Sequence, residues 1–237
     1  RYLKKKKILG IFFIPGMHLE KSDFLPVHKI HLIFGKYTAD ELITIFRKFN
    51  IKIDFNQKIF SLFKKQKNFL EKKKLLSENN KKIYLKTILN NLEQKNSKIV
   101  KNIFNYCFNK KTQKEIFKKF YLNANDIKNL DKLGMMIGAH GYSHKVMSKL
   151  NYNLQKKDIH KSIKVLSNII NKKIDYFCYP YGGFNVFNNN TVKILKEKKI
   201  IYSFNVESKD WKIKSNPLYV PRYDCNQFKY GKIFKAK

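Results

Sequence analysis

Cysteine is scarce. Cys107, Cys178 and Cys225 are the only three in 237 residues, too few and too scattered to frame a disulfide scaffold or a Cys-x-x-Cys zinc site. Long apolar runs are missing too. The longest, Ile8 to Ile14, stops at Pro15, far short of the roughly 20 residues a membrane helix needs. Acidic side chains number 17 against 51 basic ones, which leaves a formal charge of +34. Within that excess arginine is nearly absent, with 3 Arg against 48 Lys. A nucleic-acid site draws on arginine, whose planar fork grips phosphate and guanine edges with two bonds at once, so the composition speaks against that partner. Lys, Asn and Ile fill 100 positions. That is the mixture A/T-rich codons deposit on tolerant surfaces, and most of the charge reads as a solvated face. What remains, 43% hydrophobic and 15% aromatic, is enough to bury a core and excludes a disordered or fibrous chain.

Strand and helix signals alternate along the chain. Tyr2 to Lys7 reads as the end of a helix feeding a strand, which suggests the C-terminal part of a longer protein. Ile8 to Ile14, closed by Pro15-Gly16, predicts a strand buried on both faces, as in parallel sheets. A loop rich in histidine follows (His18, His28, His31), and then Thr38-Ala39-Asp40-Glu41 forms a capping box ahead of Leu42, Ile45, Phe46 and Phe49 at helical spacing. Between Ile51 and Leu122 there is neither Gly nor Pro, and apolar residues recur every three or four positions among Lys and Asn. This predicts a Lys-rich, mostly helical insertion, residues 23–125, that divides an α/β domain into 1–22 and 126–237. Further on, Asn125-Asp126 is placed to cap a helix carrying Ile127, Leu130 and Leu133 and ended by Gly134. Strands are expected over Met135–Ala139, Ile174–Tyr179 and Ile200–Val206, with helices around Ile159–Ile170 and Thr191–Lys199. That order is the order of a parallel sheet or barrel, whose functional residues stand at the C-terminal ends of the strands.

Two clusters occupy such positions. In Gly138-Ala139-His140-Gly141-Tyr142-Ser143-His144, two imidazoles four residues apart are able to converge on one cation, the plain alternative being two polar histidines. His28 and His31, three apart, offer a second pair or plain loop histidines. In Phe177-Cys178-Tyr179-Pro180-Tyr181-Gly182-Gly183, the proline and glycines fix a backbone path that brings Tyr181 and its neighbours Tyr179, Pro180 and Gly182 close to a ligand, the plain alternative being a turn with aromatic packing.

Together the clusters resemble the motifs of the polysaccharide deacetylase family, also called the NodB-homology or carbohydrate esterase 4 family. The stretch from Gly138 to His144 is similar to the family's His-(Ser/Thr)-x-x-His motif, with Gly141 at the Ser/Thr position. Cys178-Tyr179-Pro180-Tyr181-Gly182 is similar to its Arg-x-Pro-(Tyr/Phe)-Gly motif, with Cys178 in place of Arg. Ile11 to Gly16 resembles the strand after the family's first motif, and Pro217 to Arg222 a late Pro-Arg element. Asp210-Trp211 is similar to an Asp-Trp motif, which makes Trp211 a substrate-contact candidate, a surface turn being the plain alternative. The resemblance implies a distorted (β/α)7 barrel and metal-dependent removal of an acetyl or similar acyl group from an amino sugar of a polysaccharide or bacterial surface-glycan precursor. It implies that His140 and His144 hold a divalent metal, zinc in most members, and that Tyr181 lends its backbone N–H to the oxyanion. Arg222 is the candidate for the positive charge absent at Cys178. The acidic first motif would lie upstream of Ile11, yet no Asp precedes Asp23, and no His after His160 matches the family's late general acid. The alternative expectation is therefore a catalytically inactive barrel that binds carbohydrate or a partner.

Overall fold

The computed structural model describes residues 2–53, 77–212 and 214–228. They divide into two compact units, one formed by residues 1–23 with 120–237, the other by residues 24–119.

The first unit is built on a parallel sheet whose four strands follow chain order: β1 (Ile11–Ile14), β2 (Met136–Ala139), β3 (Tyr176–Cys178) and β4 (Tyr202–Phe204). Register pairs Ile14 with Ala139, Ala139 with Phe177 and Cys178 with Phe204. Ahead of β1 lies α1 (Tyr2–Lys5), and α2 (Met17–Lys21) follows it. The strands are shorter than their apolar runs. Ile8 and Leu9 are 50% and 67% exposed, because the chain turns at Lys7 with φ 56° and enters the sheet only at Ile11. With β2 as its one neighbour among the described residues, β1 is an edge strand and does not need burial on both faces. The described residues form four strands in one sheet, with β1 and β4 at its edges, rather than the expected seven-stranded barrel.

Helices α8 (Ala124–Lys132), α9 (Tyr152–Ile170) and α10 (Asn189–Glu197) cover this sheet. The cap of α8 differs from expectation: Asn123, not Asn125 or Asp126, is its N-cap, and Asp126 closes the box by accepting from the Asn123 amide at 2.9 Å. Gly134 ends the helix with φ 82°, a conformation that costs glycine nothing. The apolar stripe of α9, Ile159 and Leu166, packs with Ile14, Ile137, Ala139 and Phe177 into one core. Each such side chain contributes about 1.5–3 kcal/mol on leaving water, which outweighs the exposed lysines on the far face of the helix.

The second unit holds α3 (Pro26–Lys36), α4 (Ala39–Lys48), α5 (Glu78–Lys95), α6 (Ser97–Cys107) and most of α7 (Lys110–Phe120). Thr38 and Glu41 form the expected capping box of α4. Leu25, Ile30, Ile33, Leu42, Phe46, Leu85, Leu89, Ile103 and Phe104 are among its buried residues. The segment after β1, expected as a loop, is helical instead: Pro26 at the first position presets the φ of α3, and His28 and His31 ride on that helix. Part of the expected insertion, residues 54–76, lies outside the described residues. No described helix is long and apolar enough to cross a membrane.

Candidate active site

His140 leaves the C-terminal end of β2, directly after Ala139, which is paired on both sides by β1 and β3. Its Nδ1–H donates to the Cys178 carbonyl at the end of β3, 2.7 Å away. A carbonyl only accepts, so this bond fixes the proton on Nδ1 and leaves Nε2 as an acceptor. Burial holds the ring's pKa below the ordinary imidazole value, and the positive charge of Arg222 pushes the same way. A neutral imidazole whose Nε2 is an acceptor is what a metal ligand requires.

His144 returns to the same point. Gly141 at φ 69° and His144 at φ 54° are both left-handed, so the loop curls back within four residues and brings His144 Nε2 to 3.1 Å from His140 Nε2. A Cβ on Gly141 would stand 3.0 Å from Asp158 Oδ1 and from Met147 Cε. That tight contact, together with the left-handed φ, favours glycine over the family's Ser or Thr at this turn. The loop is tied to the end of β1 by Gly16 N–H to Gly141 O at 3.2 Å and Met17 N–H to Tyr142 O at 2.8 Å.

Beside the pair lies the turn after β3. The Tyr181 ring meets His144 at 4.9 Å between centroids and is 48% exposed. Tyr181 has φ 65° and Gly182 φ 77°. Arg222 lies against Cys178, whose thiol burial pushes up to about 11, with the guanidinium pulling the other way. The thiol is thus protonated at neutral pH and is no nucleophile. His140, His144, Tyr181, Cys178 and Arg222 come together as one constellation.

Other expected contacts are engaged elsewhere. Tyr179, expected to touch substrate, is fully buried: its hydroxyl donates to Leu218 O at 2.9 Å and accepts from Ser203, and its ring stacks on Phe187 at 3.7 Å. Strand β3 has neighbours on both sides, and Phe177 and Tyr179 pack into the core with Ile159 and Leu166 of α9. Pro180 and Gly182 are buried as well. Trp211 packs edge-on against Tyr202 at 6.0 Å. His18 is also spoken for, donating from Nε2 to Leu122 O at 3.2 Å and stacking on Tyr121 at 4.4 Å.

One participant has no counterpart in the sequence reading. Asp158, on α9, accepts from the amides of Tyr142 and Ser143 in the histidine loop. The available signal is the buried face of α9, where polar Gln155, Asp158 and Ser162 recur at helical spacing among apolar residues.

The pair fits one side of a metal centre. Two imidazole nitrogens 3.1 Å apart are close enough for both to reach one zinc, whose bonds to imidazole are about 2.0–2.1 Å. Catalytic zinc takes three protein ligands, and no group of three or more His, Cys, Asp or Glu able to hold a metal forms among the described residues, the His28–His31 pair included. The described residues would supply two ligands of such a centre and do not complete it.

The polysaccharide deacetylase family model matches residues 81–203, just over half of the 237. The chain belongs to the polysaccharide deacetylase family. The match starts at residue 81, inside the segment expected to be an insertion. Solved structures similar to the chain include the deacetylase PplD of Streptococcus pyogenes in complex with acetate, 18% identical, TM-score 0.41, covering 43% of this chain and 44% of that one. IcaB from Ammonifex degensii is 22% identical, TM-score 0.39, with 43% and 46% covered. BA3943 from Bacillus anthracis, a pseudoenzyme of the same family, is 21% identical, TM-score 0.33, with 42% and 40% covered. The chain thus spans under half the length of each of these. No curated protein matches it by sequence.

Proposed function

We propose that this chain carries the histidine half of the centre of a metal-dependent hydrolase that removes an acetyl group from an amino sugar of a polysaccharide or surface-glycan precursor. The observation that carries the reading is the convergence of His140 and His144 Nε2 at 3.1 Å, with the His140 tautomer fixed by Cys178 O. Family membership supports the acyl chemistry and the sugar. A divalent metal, zinc being the expected ion, would supply Lewis acidity to the amide carbonyl when bound.

The remaining roles belong to the chain. His140 Nε2 accepts from His144 Nε2–H, and with a metal bound both nitrogens would turn their lone pairs to it as that proton leaves, while the carbonyl behind His140 prevents ring rotation. Arg222 keeps positive charge beside Cys178 where the family motif has arginine, and helps hold His140 neutral. Tyr181, exposed and left-handed beside His144, turns its peptide at the mouth of the site, where its N–H is to stabilise the developing oxyanion. Further metal ligands and the carboxylate base would come from outside the described residues, within a barrel of the family type.

The test is acetate release by the whole protein from a glucosamine oligomer bearing N-acetyl groups. Turnover that requires added zinc and is lost in His140→Ala supports the reading. Turnover unaffected by chelation or by His140→Ala rules it out.

A further inference from the structure

We infer that Asp158 is a positioning residue that sets the spacing of His140 and His144. This rests on the reading of that pair given above. The loop that carries the histidines contains two left-handed residues, of which His144 has a side chain, and such a conformation persists only where its surroundings over-determine it. Asp158 provides the clamp. Its Oδ1 accepts from the Tyr142 amide at 2.7 Å, and its Oδ2 accepts from the Ser143 amide at 3.0 Å and from the Ser143 hydroxyl. Three donors from two successive residues thus end on one carboxylate that is 9% exposed. Those residues are the pair immediately before His144, so the clamp decides where His144 begins.

The carboxylate is held from the far side by the fold. Asp158 sits one position before Ile159, a fully buried member of the core stripe, so α9 cannot rotate without opening that core. The same loop is braced at a second point: the Tyr142 hydroxyl donates to Glu20, which is itself paired with Lys161 at 2.8 Å, one helical turn beyond Asp158. An anionic acceptor suits the task, because bonds from amides to a carboxylate are about twice as strong as neutral ones. Asparagine in its place would turn an NH2 group toward an N–H donor and lose one arm of the clamp.

The test compares the full chain with Asp158→Asn, Ser143→Ala and, as control, His140→Ala. Histidine-ring nitrogen correlations by NMR, without metal, read the tautomers of both rings. The expected result for Asp158→Asn is an unchanged His140 Nδ1–H signal and a displaced Nε2 signal for both rings. Zinc titration followed on the same signals is expected to show affinity lowered about 10- to 100-fold, with a smaller loss for Ser143→Ala, which removes one of three bonds. Ring signals and zinc affinity within twofold of wild type in a folded Asp158→Asn overturn the inference. Should that variant fail to fold, unchanged signals and affinity in Ser143→Ala overturn it instead. Zinc affinity left intact by His140→Ala, with Asp158→Asn still displacing both rings, would defeat the metal reading and leave the positioning role standing.

Discussion

Replacing Gly182 by alanine should be among the most costly single-methyl changes in this chain, and the cost divides into two parts. The first is conformational. Gly182 has φ 77°, where an L-residue loses roughly 1–2 kcal/mol. The second is steric: the new Cβ would lie 2.3 Å from Val206 Cγ1 and 3.1 Å from Val206 Cβ and Cγ2. That overlap forces the backbone or Val206 to move, at about 1–3 kcal/mol. Val206 cannot simply swing its backbone away, since its amide donates to Gly182 O at 3.2 Å. Gly182→Ala is therefore expected to lose about 2–5 kcal/mol in total. Val206→Ala, at a side chain 41% exposed, should cost only about 0.5–1 kcal/mol. The double variant removes the clashing methyls and retains the φ penalty, so it should be more stable than the sum of the single changes by about 1–2 kcal/mol. Urea unfolding of the four proteins on one tryptophan or circular-dichroism signal measures the coupling. Additive losses would refute the packing argument for this turn.

Other outcomes follow from the same geometry. Burial holds the His18 pKa at about 4 against an ordinary 6.5. The unfolded chain binds this proton first, so stability should be fully present above pH 6.5 and fall as pH drops toward 4, by up to about 3 kcal/mol from this residue. In His18→Gln, melting temperatures measured across that window should fall less steeply; an unchanged slope would place the acid sensitivity elsewhere. Tyr179→Phe should cost about 1 kcal/mol and leave KM for the acetylated oligomer unchanged, because the hydroxyl faces Leu218 and Ser203; a raised KM would return Tyr179 to the substrate site.

The parts of the site that were legible in the sequence are those built from local spacing. His140 and His144 are four apart on a loop that follows an apolar strand, and both the spacing and the strand can be read along the chain. Arg222 beside Cys178 was legible only as a gap in one motif and a spare cation in another, since their meeting depends on how the segment after β4 returns to the sheet. Asp158 was legible only as one of three polar residues at helical spacing on α9, with nothing to name its partners. Its partners lie 16 and 15 residues away, and a carboxylate next to a core isoleucine looks like any helix-surface acid until the facing loop is placed. Tyr179 shows a related limit: a motif aromatic at a strand end points to ligand or core according to what packs on its face, and the Tyr179 ring lies in the core with Phe177 and Phe187. Strand lengths were overestimated because exposed Ile8, Leu9, Ile201 and Val206 continue the apolar runs beyond the sheet.

The central claim is that His140 and His144 hold one metal together. Metal content of the whole protein, purified with zinc and measured per chain alongside His140→Ala and His144→Ala, tests it most directly. The account predicts one equivalent in the wild type and its loss in each single variant, with the fold retained. Metal-free wild type, or metal that survives both substitutions, would contradict it.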